Sequence, residues 1–296
     1  MGVTPSLPPD LAAEFEALRP RLLRVAYATL GSRTEAEDVV QDAWLRLARA
    51  DAREIRDLAA WLTTVVGRLA LDALGSARAR RERYYGEWLP EPVVGEAPDP
   101  ADQVTLDEEV SLAMLRVLES LSPAERTAFV LHDVFGHTFD EVAEAVGRTP
   151  QAARQLASRA RRHVEAGRPR FPATRDEQRE VVSAFMAAAT HGDVQGLLAV
   201  LDPEVTLRAD GGGRIAAIRE PVHGAERVAK LLAGFARLGP GRGEIVEVNG
   251  SPGLVIEGEV GGRSVMAFTV DGGRITAIDV VRNPDKLQRV PPLPEA

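Results

Sequence analysis

Phe139–Val164 reads FDEVAEAVGRTPQAARQLASRARRHV, and this stretch decides how the middle of the chain folds. Phe139, Val142, Ala143 and Val146 recur at helical spacing, so its first part is an amphipathic helix. Gly147 follows, where a left-handed turn needs a residue without a Cβ. Thr149 stands as the cap of a second helix and Pro150 as its first residue. Small residues at Ala143, Gly147 and Ala153 let the two helices cross closely, the geometry of a helix-turn-helix. The second helix offers Thr149, Gln151, Arg154, Gln155, Ser158 and Arg159, with Arg161 and Arg162 beyond them, to base edges or phosphates. A plain helical hairpin with a solvated basic face fits the same residues.

The run just before, LSPAERTAFVLHDVFGHTF, narrows the choice. Ser122-Pro123-x-Glu125 caps a helix that turns Phe129, Val130 and Val134 inward. Ser122–Val164 as a whole resembles the C-terminal DNA-binding domain of bacterial sigma factors of the extracytoplasmic-function group. The resemblance implies that Thr149, Gln151, Arg154, Gln155, Ser158, Arg159 and Arg162 read the −35 promoter element. Arg154 and Arg159 are the strongest candidates. Members of the group often carry a bulkier apolar residue where Ala153 stands, which leaves the helix crossing angle open.

Outward from this motif, Phe15–Leu30 is a helical stretch with Phe15, Leu18, Leu22, Val25 and Ala26 inward. Ser32-x-x-Glu35 starts the next helix, which buries Ala36, Val39, Val40, Ala43, Trp44 and Leu47. Its other face carries Glu37, Asp38, Gln41, Asp42 and Arg46, by pattern a solvated surface. AEDVVQDAWLRL nevertheless resembles the sigma-factor helix that docks on RNA polymerase, which implies that Asp38, Gln41 and Asp42 face core polymerase. Arg49–Asp57 is a charged loop, in the family the place where a −10 base is captured. Leu58–Arg83 is a long helix with Leu58, Trp61, Leu62, Val65, Leu69 and Leu74 inward. Its basic side and end, Arg68, Arg78, Arg80 and Arg81, lie near Tyr84 and Tyr85, a combination suited to single-stranded DNA. By resemblance these arginines hold the −10 element.

Composition sets bounds. The chain has 296 residues, a formal net charge of −8 and no cysteine. Disulfides, thiolate metal sites and cysteine nucleophiles are excluded, in keeping with a cytoplasmic protein. The overall acidity makes DNA binding a matter of local patches. No apolar run reaches the roughly 20 residues of a membrane helix, and MGVTPSLPPD carries no secretion signal. Gly2 and Ser6 fit an acylation pattern, but the favoured reading of these residues is a disordered leader.

Gly86–Glu109, with Pro90, Pro92, Pro98 and Pro100 among many acids, reads as an extended linker. Within it Trp88-Leu89-Pro90-Glu91-Pro92 is not linker composition, because a tryptophan in a linker usually docks on something. WLPEP, the loop Asp210-Gly-Gly-Gly213 and the terminal Asn283-Pro-Asp285-Lys-Leu287 resemble motifs of one sigma subgroup that carries an extra C-terminal domain. From Asp176 onward the texture becomes helices at Val181–Ala189 and Val194–Leu201, then strands at Val205–Leu207, Arg214–Ile218, Ile245–Val248, Leu254–Val260, Val265–Val270 and Ile275–Val281. A helix, Ala225–Leu238, interrupts them. Helices followed by a curved antiparallel sheet make an α+β cone, similar to the SnoaL-like fold. Its acids Asp202, Asp210 and Asp279 and its His191 and His223 form no pair at a catalytic spacing.

The sequence therefore predicts a multidomain chain. Residues 1–88 form a first all-α sigma domain and 89–110 an acidic linker. Residues 111–167 form a second all-α sigma domain, 168–175 a hinge and 176–296 the SnoaL-like cone. The expected function is promoter-specific initiation with core RNA polymerase and promoter DNA as partners. Trp88, Leu89, Pro90, Glu91, Pro92, Asp210, Asn283 and Asp285 would dock the linker on the cone. No catalytic residue, cofactor or metal is expected, and a small ligand in the cone stays open. The alternatives are a one-component DNA-binding regulator and a cyclase or isomerase.

Overall fold

The computed structural model describes residues 9–81, 84, 86–95, 111–167, 171, 173–237, 241–258 and 262–293. The acylation pattern at Gly2 and Ser6, Tyr85 and the linker acids from Glu96 onward lie outside the described residues. So do the side chains of Arg78, Arg80 and Arg81. By internal contacts the chain divides into two units, Met1–Glu82 with Val117–Ala166, and Arg83–Arg116 with Gly167–Ala296.

The first unit is all helical. α1 (Pro9–Leu30), α2 (Arg33–Leu47) and α3 (Leu58–Arg81) come first. The Ser32 hydroxyl accepts from the Glu35 amide at 3.4 Å and fixes where α2 begins. A 3₁₀ turn, Ala52–Glu54, occupies the charged loop. α4 (Leu112–Glu119) straddles the boundary between units, and α5 (Pro123–Phe129) starts on a capping box of Ser122 and Glu125. A π-helical turn, Val130–Val134, continues α5. α6 (Phe139–Val146) ends at Gly147, whose φ of 63° requires a residue free of a Cβ. α7 (Pro150–Gly167) then begins under the Thr149 hydroxyl, which accepts from the Ala152 amide at 3.3 Å.

Buried side chains from α1–α3, among them Phe15, Leu22, Leu62, Val66 and Leu74, share one core with Leu131, Val142, Ala145, Ala153 and Ala157. Phe15 and Trp44 meet edge to face at 4.8 Å. Leu58–Ser76 has the length and hydropathy of a membrane span, contrary to the count of apolar runs made from sequence. Leu58, Leu62, Val66, Ala70 and Leu74 place it instead in this core.

The second unit holds the α+β cone. α8 (Arg175–His191) starts on a capping box of Thr174 and Glu177, and α9 (Val194–Val200) on Asp193. β1 (Leu201–Asp210), β2 (Val222–His223), α10 (Ala225–Ala236), β3 (Arg242–Val248), β4 (Ser251–Gly258), β5 (Gly262–Asp271) and β6 (Arg274–Val281) follow. They form one sheet in the order β2-β1-β6-β5-β4-β3. β1 runs parallel to β6, so the sheet is mixed where alternating runs had suggested an antiparallel one. The excursion through α10 brings the chain back in the same direction.

Arg214–Ile218 is not a strand. The amides of Arg214 and Ile215 both bond back to the Gly211 carbonyl at 3.1 Å, and Gly212 and Gly213 take positive φ. This turn uses the backbone groups that a ladder would need.

Both faces of the sheet are covered, which is why β4 and β6 read as nearly continuous apolar runs. Under α8–α10 lie Phe185, Leu197, Val228, Leu254, Phe268 and Ile278. On the other face Leu89 and Val94 from the linker join Val248, Val255, Val265 and Val281 with Leu287, Val290 and Leu293 of the C-terminal tail.

Two glycines separate backbone demand from helix preference. Gly212 has φ 65°, and a Cβ there would sit 2.5 Å from the Asn283 side chain; around Gly234 in α10 there is open space. Gly212→Ala is expected to destabilise the second unit by more than about 1 kcal/mol, and Gly234→Ala to stabilise it by up to about 1 kcal/mol. Denaturant titration of the two variants checks the opposite signs.

Candidate functional site

On α2 the inward side is fully committed to the core, and Asp38, Gln41 and Asp42 stand exposed on the other. Leu45, on the same face one turn on, is 41% exposed. Sequence reasoning passed over Leu45 because a leucine beside Trp44 reads as core. An apolar side chain flanked by acids is suited to a partner contact.

On α7, Gln151, Arg154, Gln155, Ser158, Arg159 and Arg162 are all exposed, and Thr149 serves as the cap. The Arg154 guanidinium lies 5.2 Å from the Phe139 ring centroid. Arg159 Nε donates to Glu125 at 2.8 Å, and Arg161 Nε to Asp133 at 2.7 Å. The Ser122 hydroxyl, aided by Arg159, holds the Glu125 carboxyl below the usual carboxylate range against the opposing pull of burial. These ion pairs are exposed on the arginine side, so phosphates can displace them at little cost.

On α3, Arg68 is engaged with α6. Arg68 Nη2 donates to the Glu144 carbonyl at 2.8 Å, at the end of α6. The helix backbone carries Arg78, Arg80 and Arg81 on toward its C-terminal end.

The second unit brings together residues far apart in sequence. Asp210, at the end of β1, is fully buried. One of its oxygens accepts the Tyr84 hydroxyl at 2.6 Å and the Gly212 amide at 3.0 Å. The other accepts the Leu89 amide at 2.9 Å and Lys286 Nζ at 2.7 Å. Lys286 also donates to the Leu89 carbonyl and lies 4.0 Å from the Trp88 ring centroid. Asn283 donates to the Tyr84 oxygen at 2.8 Å, and its side-chain oxygen accepts from the Asp285 amide at 3.0 Å. Asp285 pairs with Arg214 at 3.2 Å.

Pro90, Glu91 and Pro92 are buried. Beyond them the Val93 amide donates to the Asn249 side chain at 3.1 Å, and the Gly95 amide to the Glu247 carbonyl at 3.2 Å. Val94 thereby bridges to Val248 and covers part of the exposed edge of the sheet. Trp88, Leu89, Asp210 and Asn283 thus meet at one place, with Asp285 at its rim.

Tyr84, which looked like a stacking platform for DNA, is instead a hydrogen-bond donor in this cluster. Burial, and then the Asp210 carboxylate, push its phenol well above the ordinary tyrosine value, so it stays protonated. Lys286 carried no sequence signal beyond its place in NPDKL, and Tyr84 none that pointed to this cluster.

A second buried carboxylate, Asp279 on β6, lies 3.4 Å from Arg116 Nε and 3.7 Å from Arg208. Burial raises its pKa and the two guanidiniums oppose that rise. Strand alternation puts Asp279 and Asp210 on the sheet face away from α8–α10. Among the described residues no group of three or more His, Asp or Glu side chains is placed to hold a metal ion. Replacing Asp210 by Ala would leave Lys286, the Tyr84 hydroxyl and two amides without this acceptor. The expected loss is about 3–5 kcal/mol of stability, with a smaller loss for Asp210→Asn, read by calorimetry on the full chain.

Comparison with known proteins shows the family. Residues 15–80 match the family model for Sigma-70 region 2, and residues 111–164 that for Sigma-70, region 4. The ECF RNA polymerase sigma factor SigJ of Mycobacterium tuberculosis is 43% identical over 293 residues, covering 94% of each chain. The probable ECF RNA polymerase sigma factor SigI of the same organism is 36% identical over 281 residues, again 94% of each. The crystal structure of M. tuberculosis SigJ gives a TM-score of 0.77 at 39% identity, over 94% of this chain and 98% of that one. The chain belongs to the extracytoplasmic-function sigma factors of RNA polymerase.

Proposed function

We propose that this sigma factor binds core RNA polymerase through Asp38, Gln41 and Asp42, with Leu45 one turn further along the same face. α7 reads −35 duplex in the major groove, where each good bidentate contact from Arg154 or Arg159 supplies about 1–3 kcal/mol of discrimination. Arg68 and the basic end of α3 hold the melted −10 strand. The C-terminal cone regulates this activity in cis by holding the linker that joins the two promoter-reading domains.

The observation that carries the regulatory reading is the seating of Leu89 and Trp88 on Asp210 and Lys286. A linker held at one end cannot sample the full range of domain separations, and a partner that needs another arrangement must displace it. The sheet face under α8–α10 is filled by Phe185, Phe268 and their neighbours, with the two rings 4.9 Å apart. Regulation of this kind needs no small ligand there. A cyclase or isomerase would need a carboxylate base and a donor beneath those helices, where neither Asp210 nor Asp279 points.

Charge reversal at Asp38 and Asp42 together is expected to abolish holoenzyme assembly, measured by pull-down with core polymerase. DNA binding by the isolated chain would be spared. Transcription from a cognate promoter is expected to change when the chain is cut after Gly167, and to move in the same direction, by less, with Trp88→Ala. Equal output from all three proteins would contradict regulation by the cone.

A further inference from the structure

Three arginines of α7 are held in two different ways. Arg159 and Arg161 give their Nε donors to Glu125 and Asp133, at 2.8 and 2.7 Å. Those carboxylates must be displaced before the donors can meet DNA. Arg154 lies over the Phe139 ring, 5.2 Å from its centroid, and among the described residues it makes no hydrogen bond or ion pair. A ring attracts the guanidinium charge without accepting its N–H groups, so the planar fork stays open to other acceptors. The ring itself is fixed. Phe139 is the first residue of α6, whose start is set by the capping box of Thr138 and Glu141. His132 stacks on it, with ring centroids 3.9 Å apart and an angle of 29° between the planes. His132 belongs to the π-helical turn, a feature that recurs at functional sites, and its Nδ1 donates to the His137 carbonyl at 2.7 Å. Val142, Val146, Ala153 and Ala157 are buried in the core that holds α6 and α7.

We propose that Phe139 and His132 are positioning residues for promoter specificity, holding the Arg154 guanidinium ready to read one base pair of the −35 element. The inference rests on the assignment of α7 to the −35 major groove. Arg154 stands in the N-terminal part of α7, the part of a recognition helix that meets base edges, and Arg159 and Arg161 follow it. A bidentate contact to a guanine edge needs two N–H groups in one plane at a defined angle. A long exposed side chain loses rotamer freedom when it makes such a contact. Seating on a fixed ring removes part of that freedom in advance, and it takes no donor from the base. The first helix of the motif thereby contributes to reading through a side chain that need not touch DNA.

The test uses holoenzyme assembled from core polymerase and the full-length parent or variant. Each is titrated against a promoter selected with the parent and against every single-base substitution of its −35 element. Arg154→Ala is expected to lose about 5- to 150-fold of discrimination at one base pair. Phe139→Leu, which keeps the bulk and removes the ring, is expected to lose about 2- to 5-fold at that same base pair, with the other positions unchanged. His132→Leu moves discrimination in the same direction, by less. Phe139→Tyr, which keeps the ring, retains the parent's profile. The proposal is overturned if Phe139→Leu keeps the parent's profile, or if it weakens binding equally on every sequence, as a purely structural role would. It is also overturned if Phe139→Tyr behaves as Phe139→Leu does. If Arg154→Ala changes discrimination at no position, the assignment of Arg154 to a base falls, and the positioning role falls with it.

Discussion

A carboxylate removed from water must find donors or lose its charge, and Asp210 finds four. They come from Tyr84 and Leu89, which lie between the two helical domains, and from Gly212 and Lys286, which follow the second. Each donor alone is a modest net gain, but leaving such a charge unpaired costs several kcal/mol. The cluster therefore holds together or fails as a whole. It ties the start of the linker, the triple-glycine turn and the NPDKL segment to the end of β1. The apolar layer of Leu89, Val94, Leu287 and Val290 extends the same docking across the sheet.

This arrangement explains what the sequence made legible. The helix-turn-helix was readable because Gly147, Thr149 and Pro150 are local signals whose physics does not depend on the rest of the chain. The capping boxes at Ser122 and Thr174 belong to the same class. The exposed row on α2 followed from helical periodicity. WLPEP could be recognised as an anchor because tryptophan and leucine do not belong in a solvated linker.

Long-range pairings were not readable. Nothing near Tyr84 indicates that its hydroxyl meets Asp210, and nothing near Lys286 shows that it reaches the Leu89 carbonyl. Arg214–Ile218 has strand composition, but the glycines before it turn the backbone away from the sheet. The direction of β1 against β6 depends on a connection through α10 that periodicity does not encode. Val66 and Ala70 escaped the inward stripe of α3 because that helix packs on more than one side.

The two units deploy one principle differently. The polar groups proposed to meet DNA or polymerase lie on exposed faces, where Arg159 and Arg161 are held only by surface ion pairs that are easily exchanged. Polar groups that fix the linker are buried, where exchange is expensive. The direct test is amide hydrogen exchange across residues 86–95 of the full-length chain. Seating of the linker requires the Leu89, Val93 and Gly95 amides to be protected to the same order as those of the β4–β5 ladder. Exchange of these amides at the rate of unstructured chain would contradict it.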